Sequence, residues 1–389
     1  MRKWRVLRSA TIPAAPWKLD ARQLARLRRA VLHWFHREKR ILPWREHRDP
    51  YRIWISEIML QQTRVAAVIP YYERFLQRFP NVQSLAQARI ESVLQFWAGL
   101  GYYGRARNLH QAARQIVERH DGEFPQTMEE TLALSGIGAY TSAAILSIAY
   151  GYPAAVLDGN VARVLARLGA VRGDLRAPKQ WSALKRAANN LLDASNPSDW
   201  NESMMELGAT ICTPRTPRCE ACPIAAFCRA RALGIQDQLP AKRVKRATEQ
   251  MTITAAVFVD TNGSTLLIRP PAQHANAESA ALFSRLWQFP AVIVRRNAQA
   301  ELISELQSLF KSDLAVRKSG LQSLHSKNHT VTFRRIKLSP YLVRVKELPQ
   351  SGEVAQKLIQ LRAVTKLAVS SATRKIAAVA LNGLNTSKR

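Results

Sequence analysis

Two acidic residues stand where acids are unusual or well placed. Glu57 lies in "WISEIMLQQTRV", among Trp54, Ile55, Ile58, Met59 and Leu60. Apolar surroundings strip hydration from a carboxylate, raise its pKa and let it hold a proton near neutral pH, as a general acid must. Asp158 opens "DGNVARVLARL", ahead of Val161, Val164, Leu165 and Leu168 on one helical face. Taken singly, Asp158 reads as a helix N-cap, and Glu57 as a surface acid paired with Gln61 or Arg64. A third group lies between them in "LSGIGAYTSA", where Tyr140 follows two glycines.

All four cysteines fall in "CTPRTPRCEACPIAAFC", as Cys212, Cys219, Cys222 and Cys228. With no cysteine elsewhere, they do not read as the staples of a secreted protein. Four thiolates spaced x6, x2 and x5 make a metal site, and the spacing permits zinc or a [4Fe–4S] cluster. Arg215 and Arg218, inside the first loop, would meet phosphates or solvent.

The elements that must carry these groups are mostly helical up to about residue 231. Periodic apolar runs start near residues 21, 53, 84, 106, 131, 141, 161, 180 and 200, with short polar turns between them. "SGIGA" reads as a helix-hairpin-helix turn. Gly136 and Gly138 allow backbone conformations and a close approach that side chains forbid, and the bare N–H groups at a helix start form a nest for one phosphate. "LQQT" supplies amides and a hydroxyl suited to base edges. "GLGYYGRAR" sets Tyr102 and Tyr103 among glycines and arginines, as a loop that wedges into a duplex would. Beyond a basic linker the pattern becomes mixed α+β. "MTITAAVFVD" and "STLLIRP" flank "TNG", a hairpin signal; "LWQFPAVIV" and "HTVTFRRIKLSPYLVRVKE" are strand-like, and helices are expected at Gln299–Phe310 and Ala372–Leu384.

Charge narrows the partner. There are 58 Lys and Arg against 28 Asp and Glu, a formal charge of +30. That is several times what solubility asks for, and it is spread over both halves, so both can face a polyanion. No apolar run approaches the ~20 residues of a membrane span. The first 20 residues are basic, lack the apolar core of a signal peptide and read as a disordered tail.

In order along the chain, "PWREHRDPYRIWISEIMLQQTRV", "GLGYYGRARNL", "LSGIGAYTSAAI", "VLDGNVARVLARL" and the cysteine knuckle resemble the MutY family of adenine DNA glycosylases, within the helix-hairpin-helix superfamily. The resemblance is strong over about residues 25–231. It implies a base excision repair enzyme that hydrolyses the N-glycosidic bond of adenine mispaired with 8-oxoguanine or guanine in double-stranded DNA, and a [4Fe–4S] cluster on the four cysteines. It implies that Glu57 protonates adenine and later activates water, that Asp158 stabilises the oxocarbenium ion or bonds to the sugar, and that Tyr140 and Asn160 support them. Trp44 and Arg45 would line the adenine pocket. Gln62 and Thr63 would contact the 8-oxoguanine strand, with Leu100 and Tyr102 assisting intercalation. The physics agrees: a poor leaving group needs a proton, and a positive sugar needs a nearby negative charge. Related endonuclease III-type enzymes carry a lysine at the Tyr140 position, so strand cleavage through a Schiff base is not expected.

The C-terminal half resembles the family's Nudix-like (MutT-like) recognition domain more weakly. "LWQFPAV" matches, with Ala291 in place of a usual glycine. "HTVTFRRIKL" matches the loop that probes 8-oxoguanine, with Thr332 at the Ser/Thr position and Phe333 in place of a common histidine. "AQAELISELQSLF" lacks the arginine and paired glutamates of a Nudix box, so nucleotide hydrolysis is not expected. The expected architecture is multidomain: a tail (1–20), an all-α helix-hairpin-helix glycosylase domain with an Fe–S knuckle (21–231), a linker (232–250) and an α+β Nudix-like domain (251–389). A monomer is expected, in the cytoplasm, or with the nucleoid in a bacterium.

Overall fold

The computed structural model describes residues 19–241, 247–269, 283, 286–310, 320–351 and 354–386. The expected tail lies outside these residues up to position 18, as does the middle of the expected linker. The chain divides into two compact units, Met1–Ala86 with Gln111–Val244 and Gln87–His110 with Lys245–Arg389.

The first unit is helical. Helix α1 (Ala21–Glu38) starts at a capping box in which Asp20 and Gln23 satisfy each other's backbone N–H groups. Then come α2 (Pro50–Leu60), α3 (Val65–Arg78) and α4 (Val82–Gln87). Helix α5 (Ile90–Trp97) and the start of α6 (Gly104–Arg119) belong to the second unit; after them the first unit continues with α7 (Met128–Leu132), α8 (Ala139–Tyr150), α9 (Gly159–Leu168), α10 (Pro178–Leu191), α11 (Pro197–Thr210) and the short α12 (Arg229–Ala232). Helices α3 and α5 had no separate signal in the sequence pattern. Helix α8 reads AYTSAAILSIAY, without a charge, and every residue from Thr141 to Ile148 is buried. An all-round apolar helix has to sit at the centre, and α2 and α11 pack against it. Glu57 lies on α2, Tyr140 on α8, Glu202 and Glu206 on α11, and Asp158 caps α9.

The second unit is α+β, as expected. Its main sheet has the order β3 (Ala291–Val294), β1 (Glu249–Val259), β6 (Arg334–Arg344), β4 (Gln322–Ser323), with β5 (Lys327–Val331) also paired to β6. Strand β1 runs parallel to β6, Thr254 opposite Ser339, and antiparallel to β3, Thr254 opposite Val292. Strand alternation sends Ile253, Ala255, Val257 and Val259 to one core, shared with Ile376, Ala377 and Ala380 of α14 (Ser371–Thr386). Ala256 and Phe258 face the other core, with Leu302, Leu306 and Leu309 of α13 (Ala298–Phe310). A sheet covered on both faces explains the nearly continuous apolar run of β1. The 87–110 segment belongs to this unit: Gln95 Nε2 donates to Lys366 O at 2.9 Å, and Arg269 pairs with Glu91 at 3.3 Å.

The "TNG" hairpin needs correction. The turn forms, with Gly263 at φ 76° and Asp260 Oδ1 accepting from the N–H groups of Asn262 and Ser264. The ladder does not. Both edges of β1 are taken by β3 and β6, and β2 (Ser264–Arg269) pairs instead with β7 (Ala355–Gln360) in a separate two-stranded sheet. The strand-like run at 329–347 also splits, into β5 and β6 around a two-residue turn at Thr332 and Phe333.

Candidate active site

A cavity of roughly 580 Å³ in the first unit is lined by Glu57, Tyr140, Asp158 and Asn160, with Trp44, Arg45, Gln62 and Thr63. Eight residues read from separate stretches of sequence thus meet in one pocket. Glu57 is buried, at 7% exposure, on a turn of α2 whose residues from Ile53 to Met59 are all buried; the surface-acid reading fails. The Tyr140 hydroxyl donates to Glu57 Oε2 at 2.7 Å and lies 3.2 Å from Met205 Sδ. Burial, with the nearby carboxylates of Asp158 and Glu202, pushes the Glu57 carboxyl up to about 7, against the opposing pull of the Tyr140 hydrogen bond and Arg45. Glu57 can therefore carry and release a proton near neutrality.

Asp158 divides its two oxygens. Oδ1 accepts from the N–H groups of Asn160 (2.9 Å) and Val161 (2.7 Å), capping α9, and Oδ2 accepts from Asn160 Nδ2 at 3.0 Å. The N-cap reading holds, and the carboxylate pinned by the cap also lines the cavity.

Sequence reading missed the far wall. Glu206, 1% exposed, accepts from Arg40 Nε (2.6 Å) and Nη2 (2.8 Å) and from Arg45 Nη2 (3.0 Å), while Arg45 Nε donates to Glu202 at 2.9 Å. Burial alone would raise Glu206; the two guanidiniums outweigh it and hold its carboxyl below the usual range. Arg40, Glu202, Met205 and Glu206 all line the cavity. The available signal was "ESMME", two glutamates four residues apart around methionines, which puts both acids and an apolar residue on one helix face.

The turn between α7 and α8 has Gly136 at φ 77°, where a side chain would be strained. Gly138 caps α8 with an ordinary φ of −102° and no side-chain cap bond. A Cβ there would meet nothing within 4 Å, so this glycine leaves a bare helix N-terminus open to a close ligand.

Three of the residues expected to meet the DNA have left-handed backbones. Gln62 (φ 58°), Tyr102 (φ 49°) and Thr332 (φ 54°) are left-handed, as are Asp121 and Ala170. Such conformations cost free energy and gather at binding sites. In the second unit, Tyr102 is 45% exposed whereas Leu100 is buried at 8%, so the tyrosine is the side chain presented outward. Thr332 is exposed at the β5–β6 turn, and its hydroxyl donates to Val331 O at 2.7 Å. Phe333 packs beneath the Arg334 guanidinium at 5.1 Å, and Arg334 is paired with Glu249 at 2.8 Å.

Cys212, Cys219, Cys222 and Cys228 line one apolar cavity with Val164, Leu168, Leu207 and Ile224. Four cysteines on one apolar cavity can supply the thiolate ligands of a metal centre. Burial and the neighbouring sulfurs push the Cys222 thiol up to about 12, despite a backbone hydrogen bond; thiolates there call for the positive charge of a metal. Arg167 Nη1 lies 3.2 Å from Cys212 Sγ. Arg163 donates from Nε to Cys212 O and from Nη2 to Asn160 Oδ1, each at 2.9 Å, so the knuckle is tied to the residue that holds Asp158.

A helical unit with this hairpin, pocket and knuckle is matched by known families. The model of the HhH-GPD superfamily of base excision DNA repair proteins matches residues 55–191, and that of the iron-sulfur binding domain of endonuclease III matches residues 212–228. The solved structure of a thermostable thymine-DNA glycosylase covers 55% of this chain and all of its own, at 30% identity and a TM-score of 0.50. The adenine DNA glycosylase of Rattus norvegicus is 34% identical over 380 residues, 84% of this chain and 72% of that one, and that of Mus musculus 33% identical over 405 residues, 92% and 78%. The Homo sapiens adenine DNA glycosylase is 46% identical over 229 residues, 57% of this chain but 42% of the human one. The chain belongs to the adenine DNA glycosylase family, whose members are DNA N-glycosylases of base excision repair. Its four cysteines hold a [4Fe–4S] cluster, which fastens the loop from 212 to 228.

Proposed function

We propose that this chain removes adenine paired with 8-oxoguanine, and with guanine, from double-stranded DNA by hydrolysis alone. The observation that carries the reading is the buried Glu57, hydrogen-bonded to Tyr140, in one cavity with the pinned Asp158. The adenine leaves the stack, at a cost of a few kcal/mol that a mismatch reduces. Glu57 gives its proton to a ring nitrogen of the flipped base, and the glycosidic electron pair leaves with adenine. The oxocarbenium ion left behind faces the Asp158 carboxylate. Glu57, now ionised, takes a proton from the water that adds to the anomeric carbon, which restores the acid. Single-turnover excision from duplexes carrying A opposite 8-oxoguanine, G, C or T tests the reading. Fast excision opposite 8-oxoguanine and G, with little opposite C and T, is expected; no adenine release from any duplex rules it out.

Two features support the finer points. No lysine lines the cavity among the described residues, so no amine is placed to form a Schiff base. Tyr140→Lys should introduce strand cleavage trappable with borohydride while wild type shows none; a trapped adduct with wild type would show that another amine attacks the sugar. For the lesion, 8-oxoguanine carries an N7–H donor where guanine has an acceptor. The Thr332 hydroxyl spends its proton on Val331 O and so offers lone pairs, which suit the donor. In this Nudix-like reading of the second unit, Thr332→Val should reduce the preference for 8-oxoguanine over G by about 1–3 kcal/mol, read as the ratio of kcat/KM on the two duplexes. An unchanged ratio removes Thr332 from recognition.

A further inference from the structure

Helix α1 carries a charge pattern that the pocket does not use. Arg22, Arg26, Arg29 and His33 are all exposed, and at 3.6 residues per turn they fall within a sector about 60° wide and about 17 Å long. The helix's other cations are engaged. Arg28 Nε donates to Leu191 O at 3.1 Å, His36 meets Asp199 at 3.4 Å, and Arg37 pairs with Glu38 at 2.9 Å. Among the described residues Arg22, Arg26 and Arg29 have no carboxylate within ion-pair distance, and unlike other unpaired arginines of this unit they share one face of one helix. Residues 1–19 contain no acid at all.

The stripe works against the helix that bears it. Like charges three and four residues apart repel, and Arg22, in the first turn, sits at the positive end of the helix dipole. A pattern that breaks the local rules without an internal partner points to an external one. Its position names the partner's class. Helix α1 ends at Glu38, and Arg40, two residues on, lines the catalytic cavity. The stripe therefore lies on the helix that leads into this cavity, and its length matches about five base pairs of duplex at 3.4 Å each.

We propose that Arg22, Arg26, Arg29 and His33 form a phosphate-binding track for the duplex flanking the excised base. It rests on the DNA reading above and adds a contact outside the lesion. Phosphates would relieve the self-repulsion of the stripe and release counterions from the DNA, contributing affinity without sequence preference.

The test uses the full-length, cluster-loaded protein and a triple Arg22, Arg26, Arg29→Gln variant, which keeps helix-forming side chains. Affinity for a duplex carrying a non-hydrolysable adenosine analogue is measured against salt. The slope of log K on log salt should fall by about 0.9 for each phosphate that is no longer neutralised, hence by about 2.7 if all three arginines engage. The weakening should appear on a duplex long enough to cover α1 and vanish on one whose flank stops short of it. The corresponding triple Lys variant should keep the wild-type slope, and single-turnover excision at saturating enzyme should be unchanged in both. Equal slopes for wild type and the Gln variant, as a stripe serving an acidic protein would give, overturn the track. So does a slope change that persists on the short duplex, or a drop in excision at saturation. Failure of wild type to bind the duplex at all would instead defeat the proposed function.

Discussion

Glu57→Gln should lower single-turnover adenine release by about 10²–10⁴-fold, the usual worth of a placed general acid, while duplex binding stays nearly intact. Glutamine keeps the volume and an oxygen to accept from the Tyr140 hydroxyl, so the pocket keeps its shape and loses its proton. Wild type should show the complementary pH profile. With the carboxyl at about 7, the protonated fraction and the rate should fall about tenfold per pH unit above that value, and the variant's residual rate should lack this limb. The stability sign follows from the same shift. A carboxyl raised from 4.5 to about 7 on folding contributes stability that is fully present below about 4.5 and lost as pH rises through about 7. The melting temperature of Glu57→Gln should therefore gain on that of wild type between those limits. Wild-type-like excision by the variant would end the assignment of Glu57 as the acid.

Asp158→Asn should remove excision by about 10²–10³-fold, the scale seen when one preorganised electrostatic partner of a transition state is lost. Its value lies in separating two roles that the geometry combines. Asparagine caps helices about as well as aspartate, and its Oδ1 can still accept from the N–H groups of Asn160 and Val161, so thermal stability should change little. The charge that the proposed mechanism sets against the sugar is gone. A variant that melts earlier yet excises adenine at the wild-type rate would reduce Asp158 to a cap. Because Asn160 joins Asp158 to Arg163 and so to Cys212 O, the carboxylate is held from the cluster side as well as by its own helix.

Much of the chemistry was legible in the residues because its signals are local. The cysteine spacing, the Gly-Ile-Gly turn and the acid opening α9 each depend on neighbours a few positions away, and so does a buried acid announced by Trp54, Ile55, Ile58 and Met59. The break after residue 231 between helical and strand-like patterns is likewise a matter of period. Tertiary structure decided whatever depends on distant partners. Arg40 and Glu206 are 166 positions apart, and nothing near either residue says that one buried carboxylate will hold two guanidiniums. The turn at Asp260–Gly263 was readable, but the hairpin was not its consequence. Pairing is chosen by which strands fill the two edges of β1 while helices cover its faces, and β1 found its longest partner in β6, 85 positions on. Only the packed fold could show that Tyr140, which by sequence merely lacks an amine, spends its hydroxyl on Glu57, because that bond exists only once α8 is buried against α2.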